Sequence, residues 1–462
     1  MIALTAAEVA AVTGGRLDAV DPLVRVDGPA VIDSREAVPG SLFVALPGEH
    51  TDGHDFAGRA VEAGATLVLA SRETGAPSVV VADVELALGA LAREVLARLR
   101  PGGLRVVGVT GSVGKTTTKD LLLQVLGASG PTVAPVASFN NEIGLPLTVL
   151  RADADTRFLV LEMGAAALGE LDYLTGIAPP DVAVVLRVAH AHVGGFGGIE
   201  AVARAKSEIV TGLAPGGVAV LNADDDRVAA MAPLAERVVL FGESAQAVVR
   251  ARDLTVDAAG RAGFTLETPT GSAPVQLSLV GVHHVTNALA AATVALELGV
   301  PVADVAQRVG AATALSAHRM HVVERADGIT VVDDSYNANP DSMRAALQAL
   351  AVISGRGRRS VAVLGEMLEL GDEHRTAHDA VGRLVVRLNV GLTVVVGPGA
   401  RPILDAAAHE GSWGDEVVGV DTVEDALEFL AGALRPGDVV LVKSSKGAGL
   451  WRLADDLTGV GA

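Results

Sequence analysis

The stretch GVTGSVGKTTTKD, residues 108–120, decides how the chain is read. A phosphate-binding loop ordinarily runs Gly, four residues, then Gly-Lys-Ser/Thr. Here Gly114-Lys115-Thr116 supplies the ending, but the position five before Gly114 is Val109 and the nearest upstream glycine is Gly111. The context still points to phosphate. The loop follows the apolar run 104–109 and precedes TTTKDLLLQVLGA, where Leu121, Leu122 and Val125 give a helical apolar face. Such a strand-to-helix turn aims backbone N–H groups and a helix N-terminus at an anion, with Lys115 as the point charge and Thr116 free to hold Mg²⁺. Gly111, Ser112, Gly114, Lys115, Thr116 and Thr117 are therefore the candidate nucleotide cradle. An ordinary glycine-rich turn would leave Gly-Lys-Thr-Thr at this junction unexplained.

Around the loop, apolar runs alternate with helical patterns. RFLVLEMG, DVAVVLRV and GVAVLNAD are each followed by a polar turn and a helix, the signature of parallel βαβ units. Residues 250–280 read instead as an antiparallel insertion. From about 316 the alternation resumes through GITVVDD, RSVAVLG, LTVVVG, EVVGV and DVVLVKSS, with helices expected near 340, 374, 400, 423 and 448. Before the loop, SLFVAL, ATLVLA and SVVVAD are short strands, and helix 86–99 leads out of that block. The expectation is an α/β protein of three domains: a small N-terminal α/β domain at 1–84, a central P-loop parallel-sheet domain at 85–315, and a second doubly wound unit at 316–462. GPGAR at 397–401 begins like a dinucleotide fingerprint, but Pro402 stands where the third glycine belongs, so it reads as a turn.

Composition narrows the partners. The 462 residues carry a formal charge of −19 and only twelve aromatic side chains, which argues against a nucleic-acid partner that needs clustered cations and stacking rings. Cysteine is absent, excluding thiolate chemistry and disulfides and suiting a reducing compartment. MIALTAAEVAAVTGG lacks a basic start and carries Glu8 early, so it does not read as a signal peptide. No apolar run reaches the ~18 residues of a membrane span. The expectation is a cytoplasmic protein with no membrane partner.

Three further residues carry candidate chemistry. Glu162 ends the buried strand RFLVLEMGA, where ligands collect in open α/β sheets, and a carboxylate there suits Mg²⁺. Lys206 falls on the apolar stripe of IEAVARAKSEIVTGL with Val202, Ile209 and Leu213, where a lysine either snorkels to the edge or acts. His192, in AHAHVGGFGG, lies past the run 182–188 and by itself also fits a structural role.

Taken in order, the shortened loop, SFNNEIGLPLTVL, LEMGA, AKSEI, DDSYNANPDSM, LGEMLELGDEH and the N-terminal DSREAVPGSLFVALPGEHTDGHDF resemble the Mur ligase family of ATP-dependent peptidoglycan amide-bond ligases. The family's loop is the shortened form, and the likeness spans essentially the whole chain. The stretches are most similar to the branch that joins D-alanyl-D-alanine to UDP-N-acetylmuramoyl-tripeptide. The Asp-Asn-Pro-Arg motif expected of the branch adding the third peptide residue is not found.

The resemblance implies a Rossmann-like C-terminal domain that brings the amine, with ATP and Mg²⁺ as cofactors; separately, the chain is expected to be a monomer. The resemblance also implies roles for particular residues. Lys115 and Thr116 would hold phosphates and one Mg²⁺, while Glu162 and His192 would serve a second. Lys206 would be carbamylated into an anionic metal ligand. Asn287 would meet the adenine side of ATP, Arg319 the γ-phosphate, and Asp334 the ribose, with Asn337 nearby. Ser34, Arg35, Asp52, Gly53 and His54 would grip the UDP-muramyl end. Asn140, Asn141, Asn339, Lys443 and Lys446 would line the path of the other substrate groups. Lys115, Arg35, Arg319 and Lys446 together would give the anionic substrates a local basic cleft.

Three departures stand out. Arg187 occupies a position usually held by Asn, His284 one often held by Asn, and LVKSSKGAG, with Ser444 and Lys446, replaces Lys-Gly-Ser-Arg. Lysine in place of arginine keeps the charge and loses the bidentate fork. Another Mur-type or folylpolyglutamate-type ligase and a non-catalytic nucleotide-binding regulator are the competing readings.

Overall fold

The computed structural model describes residues 1–48, 51–136, 138–189, 198–411 and 416–459. Its centre is a nine-stranded sheet in the order Gly271–Val280, Arg261–Thr268, Val249–Val256, Val238–Gly242, Val218–Asn222, Val182–Val185, Arg105–Thr110, Phe158–Glu162 and Thr132–Val133. Pairing is parallel from Thr132–Val133 through to Val249–Val256, and only the last three strands form antiparallel pairs. The strands Phe158–Glu162, Val182–Val185 and Val218–Asn222 are buried at every position, as a sheet covered on both faces requires. The expected antiparallel insertion is thus an extension of the same sheet.

Strand order makes Arg105–Thr110 the pivot. The chain leaves it toward Phe158–Glu162 and Thr132–Val133, then returns to its other side at Val182–Val185. Open α/β sheets bind ligands beyond the carboxyl ends of the strands where the winding reverses. The loop 111–114 leaves from that point, and in the register Glu162 stands beside Val109.

A six-stranded sheet forms the C-terminal part, ordered His321–Glu324, Thr330–Asp333, Val439–Lys443, Ser360–Leu364, Leu392–Val396 and Val417–Val420. Val439–Lys443, last in the chain, lies between strands formed much earlier, so a second crevice opens at its carboxyl end. The helices expected near 400 and 448 begin at Arg401 and Leu450, each after a single 3-10 turn. The N-terminal part carries a five-stranded sheet, Arg16–Asp18, Ser78–Val80, Leu67–Ala70, Leu42–Val44 and Ala30–Val31, beside a two-stranded one. The helix expected at 86–99 starts at Val84, capped by Asp83. It packs against the helix Ala6–Thr13 and against the central helices Gly144–Val149 and Glu170–Ile177. One apolar core therefore runs continuously from Leu4 to Met231. The C-terminal sheet has two cores of its own, built from residues 320 to 457.

Candidate active site

The loop 111–114 delivers its helix into a cavity of about 1060 Å³ lined by both doubly wound units. Gly114 has φ +86°, and a Cβ there would lie 2.3 Å from the Asn287 Oδ1. Only glycine lets the two segments meet so closely. The Lys115 ammonium donates to the Gly111 carbonyl at 2.8 Å, so the lysine folds back over its own loop. Burial pushes its pKa down, with Glu162 opposing and Arg319 adding to the effect. Ser112 and Thr117 also face the cavity.

Thr116 is the hub of the oxygen cluster. Its hydroxyl donates to the Glu162 Oε2 at 2.9 Å, lies 3.0 Å from the Ser138 hydroxyl, and accepts from the Arg319 guanidinium at 3.3 Å. The other Glu162 oxygen accepts from the Asn140 amide at 2.8 Å. Among the described residues no three His, Asp or Glu side chains gather as a ready-made metal site. Mg²⁺, however, commonly takes one or two carboxylates and fills its octahedron with phosphate oxygens and water. A hydroxyl and a carboxylate at the head of the phosphate-binding helix are hard oxygen donors of that kind, so the residues fit the ion.

Lys206 lies on the helix Ile199–Thr211 with its side chain buried, 3% exposed. Burial first, and the nearby Lys115 second, push its pKa down to about 7. His192 lies outside the described residues. Arg187 is exposed at the cavity wall, and its backbone carbonyl accepts from the Ser112 N–H at 2.8 Å. This residue is therefore tied into the phosphate loop through its main chain.

One side of the cavity is walled by His283, His284 and Asn287. The two rings lie 4.1 Å apart, and the Asn287 amide nitrogen is 3.3 Å from the His284 Nδ1. Burial lowers both histidines, His283 to about 4 and His284 well below the usual 6.5, so both are neutral at pH 7.

From the C-terminal unit come Arg319, Asp334, Asn337, Asn339 and Lys443. Lys443 is buried and donates to the Asp334 carboxylate at 2.5 Å and the Asn337 carbonyl at 2.9 Å. Asn339 caps the helix Pro340–Ser354, accepting from the Ser342 N–H at 2.8 Å. Asn141 also lines the cavity, with its side chain accepting from the Gly144 N–H. Three expected contacts are thus already committed to internal bonds.

The structure divides the expected set. Ser34, Arg35, Asp52, Gly53 and His54 do not line this cavity; they lie past the carboxyl ends of the parallel strands Ala30–Val31 and Leu42–Val44. Asp52 caps the turn Gly53–Phe56 and binds the His54 Nδ1 at 2.6 Å, while the His54 Nε2 accepts from the Ser71 N–H at 2.9 Å. A Cβ on Gly53 would meet the Leu46 carbonyl at 2.6 Å. Arg35 is exposed and chelates Asp33. The expected basic cleft of Lys115, Arg35, Arg319 and Lys446 is therefore corrected. Lys115 and Arg319 share the main cavity, Lys446 and Arg319 share a neighbouring one of about 550 Å³, and Arg35 joins neither.

Sequence reading passed over Ser138, His283 and Tyr336. Tyr336 had a signal: it is one of only two tyrosines, and it lies within the quoted DDSYNANPDSM.

Known proteins match this architecture along its length. Residues 30–99 match the Mur ligase family catalytic domain, 109–295 the Mur ligase middle domain, and 318–446 the Mur ligase glutamate ligase domain. The UDP-N-acetylmuramoyl-tripeptide–D-alanyl-D-alanine ligase of Mycobacterium tuberculosis is 47% identical over 99% of this chain and 98% of its own. A crystal structure of MurF from Acinetobacter baumannii superposes with a TM-score of 0.88 at 33% identity, covering 99% of each chain. MurF ligase from Thermotoga maritima in complex with ADP gives 0.80 at 30% identity, covering 93% of this chain and 97% of that one. With its phosphate loop, its two winding-reversal crevices and its full-length likeness to these ligases, the chain belongs to the Mur ligase family.

Proposed function

We propose that this enzyme joins D-alanyl-D-alanine to UDP-N-acetylmuramoyl-tripeptide at the expense of ATP, in the cytoplasm, as a step of peptidoglycan precursor synthesis. The observation that carries the reading is the cavity into which one unit sends Lys115, Thr116, Glu162 and Lys206 and the other sends Arg319 and Asp334. An amide does not form from a free carboxylate and an amine in water without activation. A tripeptide carboxylate oxygen attacks the γ-phosphorus of ATP, the bond to ADP breaks, and an acyl phosphate results. The amine of the dipeptide then attacks the acyl carbon, loses a proton, and orthophosphate leaves.

Each residue has a defined task in that sequence. Lys115 and the N–H groups at the head of its helix hold the phosphates. Arg319 meets the charge that grows on the transferred group. Asn287, with His283 and His284 kept neutral, faces the base, and Asp334 faces the ribose. Thr116 and Glu162 would hold Mg²⁺, with Lys206, once carbamylated, as a further ligand. Bound there, the ion would neutralise charge spreading over the phosphoryl oxygens. Burial of Lys206 favours the uncharged amine, the form that takes up CO₂. Because the acyl phosphate hydrolyses in water, a site built where separate units meet can be closed against solvent. Ser34, Arg35, Asp52, Gly53 and His54 belong to the UDP-muramyl end. The domain borders follow the same scheme: 1–84, 85–315 and 316–462.

The test is phosphate release from ATP and Mg²⁺ with each substrate alone and with both, and product mass read in parallel. Release that requires both substrates, with the pentapeptide product appearing, supports the reading. ATP binding with no turnover on the tripeptide would reject it.

A further inference from the structure

Two cations beside the cleft share one aromatic ring. The Arg319 guanidinium carbon lies 4.1 Å from the centroid of the Tyr336 ring, and the Lys446 ammonium lies 5.5 Å from it. Within about 6 Å a cation is drawn to the negative face of an aromatic ring. Tyr336 and Arg319 line both cavities, whereas Lys446 lines the neighbouring one. The ring thus stands where the two meet.

The segment that carries Arg319 is clamped onto the segment that carries the ring. His318 and Met320, on either side of Arg319, have φ +59° and +51°, a backbone region unfavourable to residues with side chains. Three contacts hold them there. The Tyr336 N–H donates to the His318 carbonyl at 3.2 Å, the His318 Nδ1 lies 2.6 Å from the Asp333 Oδ2, and the Met320 N–H donates to the Asp334 Oδ1 at 3.2 Å. The buried Arg319 Nε has no hydrogen-bond partner among the described residues. A guanidinium fixed this firmly and left short of acceptors is set for an incoming anion.

We infer that Tyr336 is a positioning residue that holds Arg319 and Lys446 as one cationic pair, so that the terminal phosphate of the nucleotide and the carboxylate of the dipeptide are bound through a shared ring. The inference rests on the ligase reading above. Its consequence is coupling: one substitution that touches neither substrate's charged groups weakens both.

The experiment varies ATP and D-alanyl-D-alanine separately with the full-length wild type, Tyr336→Phe and Tyr336→Leu. Loss of the ring face in Tyr336→Leu is expected to raise both KM values by about 2- to 30-fold, the range a cation–π contact spans, with kcat changed less. Tyr336→Phe, which keeps the face, restores both. A Leu variant that shifts one KM or neither overturns the inference, as does a Phe variant as impaired as Leu. If Tyr336→Leu does not fold, Arg319→Met, Lys446→Met and the double variant replace it, and strictly independent effects on the two KM values reject the coupling. Affinity for a non-hydrolysable ATP analogue, measured without acceptor, separates the two levels. A wrong acceptor leaves the loss of analogue affinity in Tyr336→Leu intact, whereas a wrong role for the ring abolishes it.

Discussion

Lys206 was conspicuous in the sequence because it sits on an apolar stripe, and burial of that stripe is what makes its amine easy to deprotonate. Its pKa of about 7 lies below the ordinary 10.5, so between those values the unfolded chain binds more protons than the folded one. Stability should therefore rise with pH from about 7 to 10.5, with no gain from this group below 7. Lys206→Met removes that slope, and the variant's melting temperature plotted against pH should be flatter than the wild type's across this window. For activity the direction is opposite. Lys206→Ala should abolish ligation, and added short-chain carboxylates should restore part of it; full activity of Lys206→Ala would remove the carbamate from the mechanism. Other residues were less legible. Lys443 and Asn339 look from sequence like open polar contacts, yet one is paired inside with Asp334 and the other caps a helix. Sequence shows the donor or acceptor but not which neighbour has already taken it.

At the level of elements, the buried parallel strands were readable because covered strands are apolar throughout and end in polar turns. Short 3-10 turns such as Pro398–Ala400 and Lys446–Ala448 were not, since they delay a helix without changing its apolar period. One well-defined element end is the start of the first helix. Thr5 and Glu8 form a reciprocal capping box on the helix Ala6–Thr13, and Arg98 from the helix Val84–Leu99 binds Glu8 at 2.9 Å. The Thr5 N–H, followed by Arg98 and the Thr5 hydroxyl, holds the Glu8 carboxyl down at about 2 against an ordinary 4.5. A depressed carboxylate stabilises the fold above its unfolded value and loses that contribution as pH falls from 4.5 toward 2. Wild type should lose stability more steeply than Glu8→Gln over that interval, as acid titrations followed by circular dichroism would show. Thr5→Ala at neutral pH should cost about 1 kcal/mol, the usual worth of such a cap; an unchanged denaturation midpoint would count against it.

For the whole molecule, a likeness spread over many motifs made the three-part plan legible, whereas the way the parts join was not. Nothing in the spacing announces that the helix Val84–Leu99 belongs to two neighbours at once. The C-terminal unit should close on the nucleotide when all substrates are bound, because Arg319 and Asp334 reach the phosphate loop's cavity from that side. Small-angle scattering should show a smaller radius of gyration with all substrates present than without them; superposable profiles would refute closure. The uneven sharing of cores matters beyond motion. The first core runs through Leu4 and Met231 alike, while the C-terminal cores begin only at Met320. Apolar side chains thus weld the N-terminal and central parts, and the C-terminal part keeps its own cores beyond a short linker. A lineage could exchange everything after that linker without reopening a single hydrophobic core, whereas a new N-terminal part would have to be re-fitted to the central one side chain by side chain.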